Sequence, residues 1–202
     1  MGMDQQPFPC EHYIIQLSST GPGVADYEFA KQVQSLDKEK LPDHVHYANT
    51  SDAASVDPAS GAACTFFKSG GQWVLYADSF SGLDDACRTR LDRSPPGAIV
   101  KTTATYDDGH GISCLCPDSL DPPSLRPDPN PDPWVAELQS ALAGLMNASI
   151  TGDEDDREYF GAQTQNAVKD FQERHAITGE DGFVGPRTWA GLRAALQPSC
   201  AR

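Results

Sequence analysis

No stretch of this sequence is apolar over the roughly 20 consecutive residues that a bilayer-spanning helix needs. Positive charge is scarce as well: 15 Lys and Arg stand against 29 Asp and Glu, a formal charge of −14 at pH 7. The excess is spread along the chain, with 15 acids and 8 bases in residues 1–116, 4 and 1 in 117–133, and 10 and 6 in 134–202. Without a basic face nothing displaces counterions from phosphates, so nucleic acid is not expected as a partner. An anionic membrane surface is disfavoured for the same reason. Met1 to Gln6 has neither a basic region nor an apolar run, so no signal peptide is expected there. Either a preceding segment is missing from this sequence or the chain is exported by another route.

Catalytic signatures are also wanting. There is no H-E-x-x-H. His44 and His46 would share a strand face, but no third ligand accompanies them, so no metal is expected. Asp107-Asp108-Gly109-His110-Gly111 reads as a turn, since no nucleophile stands with it in a recognisable motif. A Cys–His amidase needs a reactive thiol near a histidine; Cys114 lies near His110 in sequence, yet the other cysteines suggest pairing instead. A glycosidase needs two facing carboxylates, which a chain this acidic always offers by chance. The expectation is a non-catalytic protein with no cofactor.

Six cysteines are present: Cys10, Cys64, Cys87, Cys114, Cys116 and Cys200. An even, dispersed set in a small acidic protein reads as a disulfide framework and an oxidising compartment, with buried free thiols as the alternative. Cys114-Leu115-Cys116 is a C-x-C without a matching second pair, which argues against a zinc knuckle.

Seven of the seventeen residues in 117–133 are proline, a composition that favours an extended, semi-rigid chain. It is expected to be a linker between a domain at 10–116 and another at 134–197. In the first half, strand signals at 12–17, 44–47, 72–77 and 98–105 alternate with two helices. The first helix carries Val24, Tyr27, Ala30, Val33 and Leu36 on a stripe. The second follows Ser81 as N-cap, with Leu83, Cys87 and Leu91 on one face. The order βαββαβ predicts a ferredoxin-like α+β domain whose first and last strands are antiparallel neighbours. That places Cys10 near Cys114 and Cys116, lets Cys64 and Cys87 join, and leaves Cys200 to take the remaining partner or stay free.

Tyr13-Ile14-Ile15-Gln16-Leu17, then Trp73-Val74-Leu75-Tyr76-Ala77-Asp78-Ser79-Phe80 with Ala86 following, resembles a SPOR-type domain. Asp78 stands where that family usually has glycine, and residues 44–71 match poorly. The resemblance implies glycan binding on an open sheet face. Strand alternation places Ile14 and Gln16 together on one face, and these are the candidate glycan contacts.

The second half repeats itself. Phe160-Gly-Ala-Gln-Thr164-Gln-Asn-Ala167-Val168 and Val184-Gly-Pro-Arg-Thr188-Trp-Ala-Gly-Leu192 share apolar-Gly-x-x-Thr-x-x-small-apolar, with Gly161 and Gly185 24 residues apart. Leu138-Gln139 and Phe171-Gln172 are a second echo. The segment resembles the three-helix peptidoglycan-binding domain. One departure is Glu158-Tyr159, where the family usually has Asp-Gly; another is the long acidic loop Thr151-Gly-Asp-Glu-Asp-Asp156. Phe171, Val168, Leu138 and Leu192 are core candidates, and Gln139 and Gln172 satisfy loop backbone groups or contact ligand. The ligand candidates are Tyr159, Gln163, Thr164, Arg187 and Trp189 beside the two helix starts, where N-terminal amides and the Arg187 guanidinium suit the carbonyls and carboxylates of a stem peptide.

The resemblances together imply an extracytoplasmic, wall-associated protein that binds bacterial peptidoglycan, both stem peptide and glycan, through two modules. Two alternatives remain open. One is a docking component of a phage tail or contractile particle, whose first domain joins a protein assembly. The other is a wall hydrolase.

Overall fold

The computed structural model describes residues 3–5, 13–19, 28–29, 31, 45–49, 73–94, 97–102, 111–151 and 158–200. They belong to two compact units, residues 1–112 and residues 113–202.

In the first unit β1 (Met3–Gln5), β2 (Tyr13–Ser19), β3 (Val45–Asn49), β4 (Trp73–Phe80) and β5 (Ile99–Thr102) form one sheet in the spatial order β1-β3-β4-β2-β5. Runs rich in β-branched and aromatic residues, such as Trp73-Val74-Leu75-Tyr76, supply the strands. β2, β3, β4 and β5 pair antiparallel, so the first and last expected strands do run side by side in opposite directions. β1 was not expected; it lies parallel to β3 at the sheet edge. Beyond β5, the Ile112 amide donates to the Val100 carbonyl at 2.8 Å.

α1 (Leu83–Arg93) has Gly82, not the expected Ser81, as its N-cap, with no side-chain cap bond. Asp84 and Asp85 do sit in its first turn, where the helix dipole favours acids. Its buried residues are Ala86, Cys87 and Arg90, while Leu83 and Leu91 are only half-buried. Arg90 tolerates burial because its Nε donates to the Ala98 carbonyl at 2.9 Å. Within the expected first helix, Glu28, Phe29 and Lys31 are helical, and Phe29 is buried against Val45 and Leu75. Phe29 was not on the expected stripe; the stripe residues, like Cys10, Cys64 and His44, lie outside the described residues. Cys87 and Cys114 are each fully buried and each engaged in a disulfide whose partner lies outside the described residues.

The second unit contains β6 (Asp128–Pro131), α2 (Pro133–Met146), β7 (Tyr159–Phe160), α3 (Ala162–Arg174) and α4 (Pro186–Cys200). Asp132 caps α2 by accepting from the Trp134 amide at 2.8 Å, and Pro133 occupies the first turn, where no amide is needed. α2 ends at Asn147, in a left-handed cap conformation. Leu138, Leu142, Phe160, Val168, Phe171 and Leu192 belong to one buried cluster, so the four residues read as core are core. Gly182 has φ +70°, and a Cβ on it would run into the Lys169 side chain. Gly182→Ala is therefore expected to cost about 1–2 kcal/mol from the left-handed backbone alone, read as a lowered denaturant midpoint at unchanged slope.

The proline-rich segment is not a free spacer. Leu120 and Leu125 are buried, at 5% exposure each. The Leu125 amide and carbonyl exchange hydrogen bonds with Val184 at 2.8 and 2.9 Å. Three residues on, Asp128 pairs with Phe160 as β6 meets β7. Phe160 and Val184 are equivalent positions of the repeat, so this segment is a strand shared by both repeats. At its start, Glu137 of α2 accepts from the Cys114 amide at 2.8 Å and the Ser113 hydroxyl at 3.3 Å. Proline removes donors but leaves carbonyls, and α4 supplies donors to them: Trp189 Nε1 binds the Pro123 carbonyl at 2.8 Å, and Arg193 Nη2 binds those of Pro117 and Leu120. Residues 113–131 are a strap on the helical unit, closed by a disulfide between Cys116 and Cys200.

Candidate functional site

The two repeats share a latch. Gln139 of α2 donates through Nε2 to the Thr164 hydroxyl at 2.9 Å and the Tyr159 carbonyl at 3.1 Å. Gln172 of α3 donates through Nε2 to the Thr188 hydroxyl and the Phe183 carbonyl, both at 2.8 Å, and accepts from the Gly182 amide at 2.9 Å. Both glutamines and both threonines are buried. Each glutamine thus fixes the chain just before the next helix, which decides between the two roles held open for them in favour of loop backbone.

Residues 131–192 match the family model described as a putative peptidoglycan binding domain. No curated protein and no solved structure matches the chain. The matched segment occupies most of the second unit, while the strap to residue 130 and the end of α4 lie outside it.

Within this segment the candidates expected from the sequence divide by exposure. Thr164 is fully buried and belongs to the first latch. Trp189 is 3% exposed; its indole N–H is held by the strap and its ring meets the edge of Trp134, centroids 6.0 Å apart. Neither faces solvent, because helical periodicity alone did not register the latch or the strap. Gln163 is exposed and clasps the Thr151 backbone, accepting from its amide at 3.2 Å and donating to its carbonyl at 3.1 Å. Arg187 occupies the equivalent position of the second repeat, is exposed, and donates through Nη1 to the Thr178 carbonyl at 2.8 Å. Both residues hold their loops closed from the first turn of a helix. Tyr159 is half-buried on β7, and Glu158 before it takes φ +53° at the place Gly182 fills in the second repeat.

The N-terminal amides of α4 are not open to a ligand. Glu180, which the sequence reading passed over, accepts from the amides of Gly185, Arg187 and Thr188 at 3.1, 3.0 and 2.9 Å and from the Thr188 hydroxyl at 2.7 Å. It is a buried anion filling the positive end of the helix. Burial acts to raise its pKa, but the Thr188 hydroxyl bond and the three amide bonds outweigh that and hold the carboxyl below its ordinary value. A Cβ on Gly185 would lie 2.5 Å from Glu180 Oε1, so glycine is what lets the carboxylate approach. The sequence signal was there: an acid ahead of an Asp-Gly turn, eight residues before the helix-start threonine.

The first unit does not offer the expected open sheet face at its candidates. Ile14 is fully buried, as is Ile15 beside it, and Val74, Leu75, Tyr76 and Ala77 are buried in succession. Consecutive strand residues point to opposite faces, so both faces are covered there. Gln16 is half-buried. Burial pushes the Tyr76 phenol up to about 12, and its ring packs tilted on His46 at 5.4 Å. Among the described residues no group of His, Cys, Asp and Glu is arranged to hold a metal ion, and no helix is long and apolar enough to cross a membrane.

Proposed function

We propose that the chain attaches to bacterial peptidoglycan without catalysing a reaction, with residues 113–200 as the attachment unit. The observation that carries this is the family match on a unit whose two latched repeats are both intact. Tyr159, Gln163 and Arg187 are the candidates left at the surface, and they are taken as the contacts to stem peptide and adjacent glycan. Disulfides favour an extracytoplasmic, wall-associated setting. The first unit is read as a ferredoxin-like, SPOR-type module with β1 added at its edge; the antiparallel order β3-β4-β2-β5 supports this. Its second wall contact, through Gln16, would add avidity if both units engage one wall.

Co-sedimentation with purified insoluble sacculi tests the proposal. The full chain and residues 113–202 should both pellet, and residues 134–202, which lack the strap, should pellet less. Arg187→Ala and Tyr159→Ala should each weaken binding by about tenfold, the equivalent of about 1.4 kcal/mol. Failure of both the full chain and 113–202 to pellet would remove the wall-binding reading.

A further inference from the structure

Cys116 and Cys200 are bonded across a sequence separation of 84, with Cα atoms 5.4 Å apart. Both lie outside the residues that match the family, so this bond is part of what the chain adds to the domain. Between Cys116 and the Leu125–Val184 bridge runs a flap, residues 117–124. Three of its carbonyls are held from the helical unit: those of Pro117 and Leu120 accept from Arg193 Nη2, and that of Pro123 from Trp189 Nε1. Both of these donors are on α4. The last turn of that helix is weakened by Pro198, which has no amide to bond back to Ala194. Its end is held where Cys200 meets Cys116.

The pair also differs in access from the other described cysteines. Cys116 and Cys200 are half-buried, whereas Cys87 and Cys114 are fully buried. Thiol–disulfide exchange requires an attacking thiolate to reach a sulfur, so among the described cysteines those of this bond are the most open to a reductant in solution.

We propose that the Cys116–Cys200 disulfide is a reducible latch: its reduction by a dithiol opens the flap 117–124, hinged at Leu125, and uncovers the Trp189 indole N–H and the Arg193 guanidinium. A thiolate of the dithiol attacks one sulfur and forms a mixed disulfide; its second thiol then displaces the protein. The dithiol leaves as a disulfide, and the protein gains two electrons and two protons as two thiols. The uncovered donors suit the carbonyls of an extended peptide, since that is what the flap presents to them. The inference stands independently of what the domain binds.

The test is a titration of the oxidised full chain with dithiothreitol at neutral pH without denaturant, each point trapped with iodoacetamide and mapped by mass spectrometry. Cys116 and Cys200 should label together, ahead of Cys87 and Cys114. Tryptophan emission should shift to the red in step with that labelling while far-UV circular dichroism stays constant, and Trp189→Phe should abolish the shift. The double variant Cys116→Ser with Cys200→Ser should show the red-shifted emission without reductant. Simultaneous labelling of all four cysteines overturns the proposal. So does an unshifted emission once the pair is labelled, or loss of helical signal in step with it.

Discussion

Replacing Cys116 and Cys200 by serine is expected to lower the unfolding free energy of the C-terminal unit by about 4–5 kcal/mol, a drop of roughly 20 °C or more in its melting temperature. The size follows from the loop the bond closes, which takes in the whole helical domain at a sequence separation of 84. A cross-link acts mainly by removing conformations from the unfolded chain, and the effect grows with the logarithm of loop length. The non-covalent anchors do not compensate, since each hydrogen bond from Trp189 or Arg193 to a strap carbonyl contributes only about 1 kcal/mol net. Denaturant unfolding of the oxidised chain and the double variant, followed by far-UV circular dichroism, measures the difference. A loss below about 1 kcal/mol would mean that the unfolded chain is already compact enough for the bond to add little.

The second large effect belongs to Glu180. Glu180→Ala leaves the amides of Gly185, Arg187 and Thr188 without their acceptor at the start of α4. Charge-assisted bonds to buried donors are among the stronger ones, so a loss of about 3 kcal/mol is expected. Glu180→Gln keeps the size but puts amide hydrogens where one carboxylate oxygen accepted, so it should recover part of that loss. The pH dependence separates charge from shape. The native carboxyl lies below its ordinary value of 4.5, so the unfolded chain takes up the proton first as pH falls. Its contribution is fully present above that ordinary value and is lost as pH falls through the lowered native value. Wild-type stability should therefore decline in acid more steeply than that of Glu180→Gln, compared by urea midpoints from pH 6 down to pH 3. Parallel profiles would show that other carboxylates carry the acid sensitivity.

The helical domain was legible because its repeat is local. Glycine at the turn, threonine at the helix start and glutamine a helix earlier recur at fixed spacing, and the latches join those same residue types. The role of the glutamines was not legible, since an amide that serves a ligand and one that serves a loop carbonyl look alike in one dimension. The burial of Trp189 and Thr164 was not legible for a related reason: a helix-start position reads as exposed until something packs over it. The role of Glu180 is not legible in one dimension because its partners are mostly backbone amides, which carry no residue identity.

In the first half, strand runs and their antiparallel order followed from β-branched and aromatic composition. Which side chains were covered did not follow: alternation presumes one wet face, and Ile14 and Ile15 are both fully buried. Phe29, off the expected stripe, is buried against Val45 and Leu75.

By itself the sequence determined the acidic surface, the antiparallel strands, the three helices of the second half and their repeated turns, because each depends on residues within a few turns of one another. The tertiary structure alone decided that the proline-rich segment is a strap, that Cys116 meets Cys200, and that one helix start is sealed by Glu180. Those outcomes rest on contacts between distant residues, up to 84 positions apart for the disulfide. Proline composition states how stiff a segment is; only the donors facing it, Trp189 and Arg193, decide what it rests on.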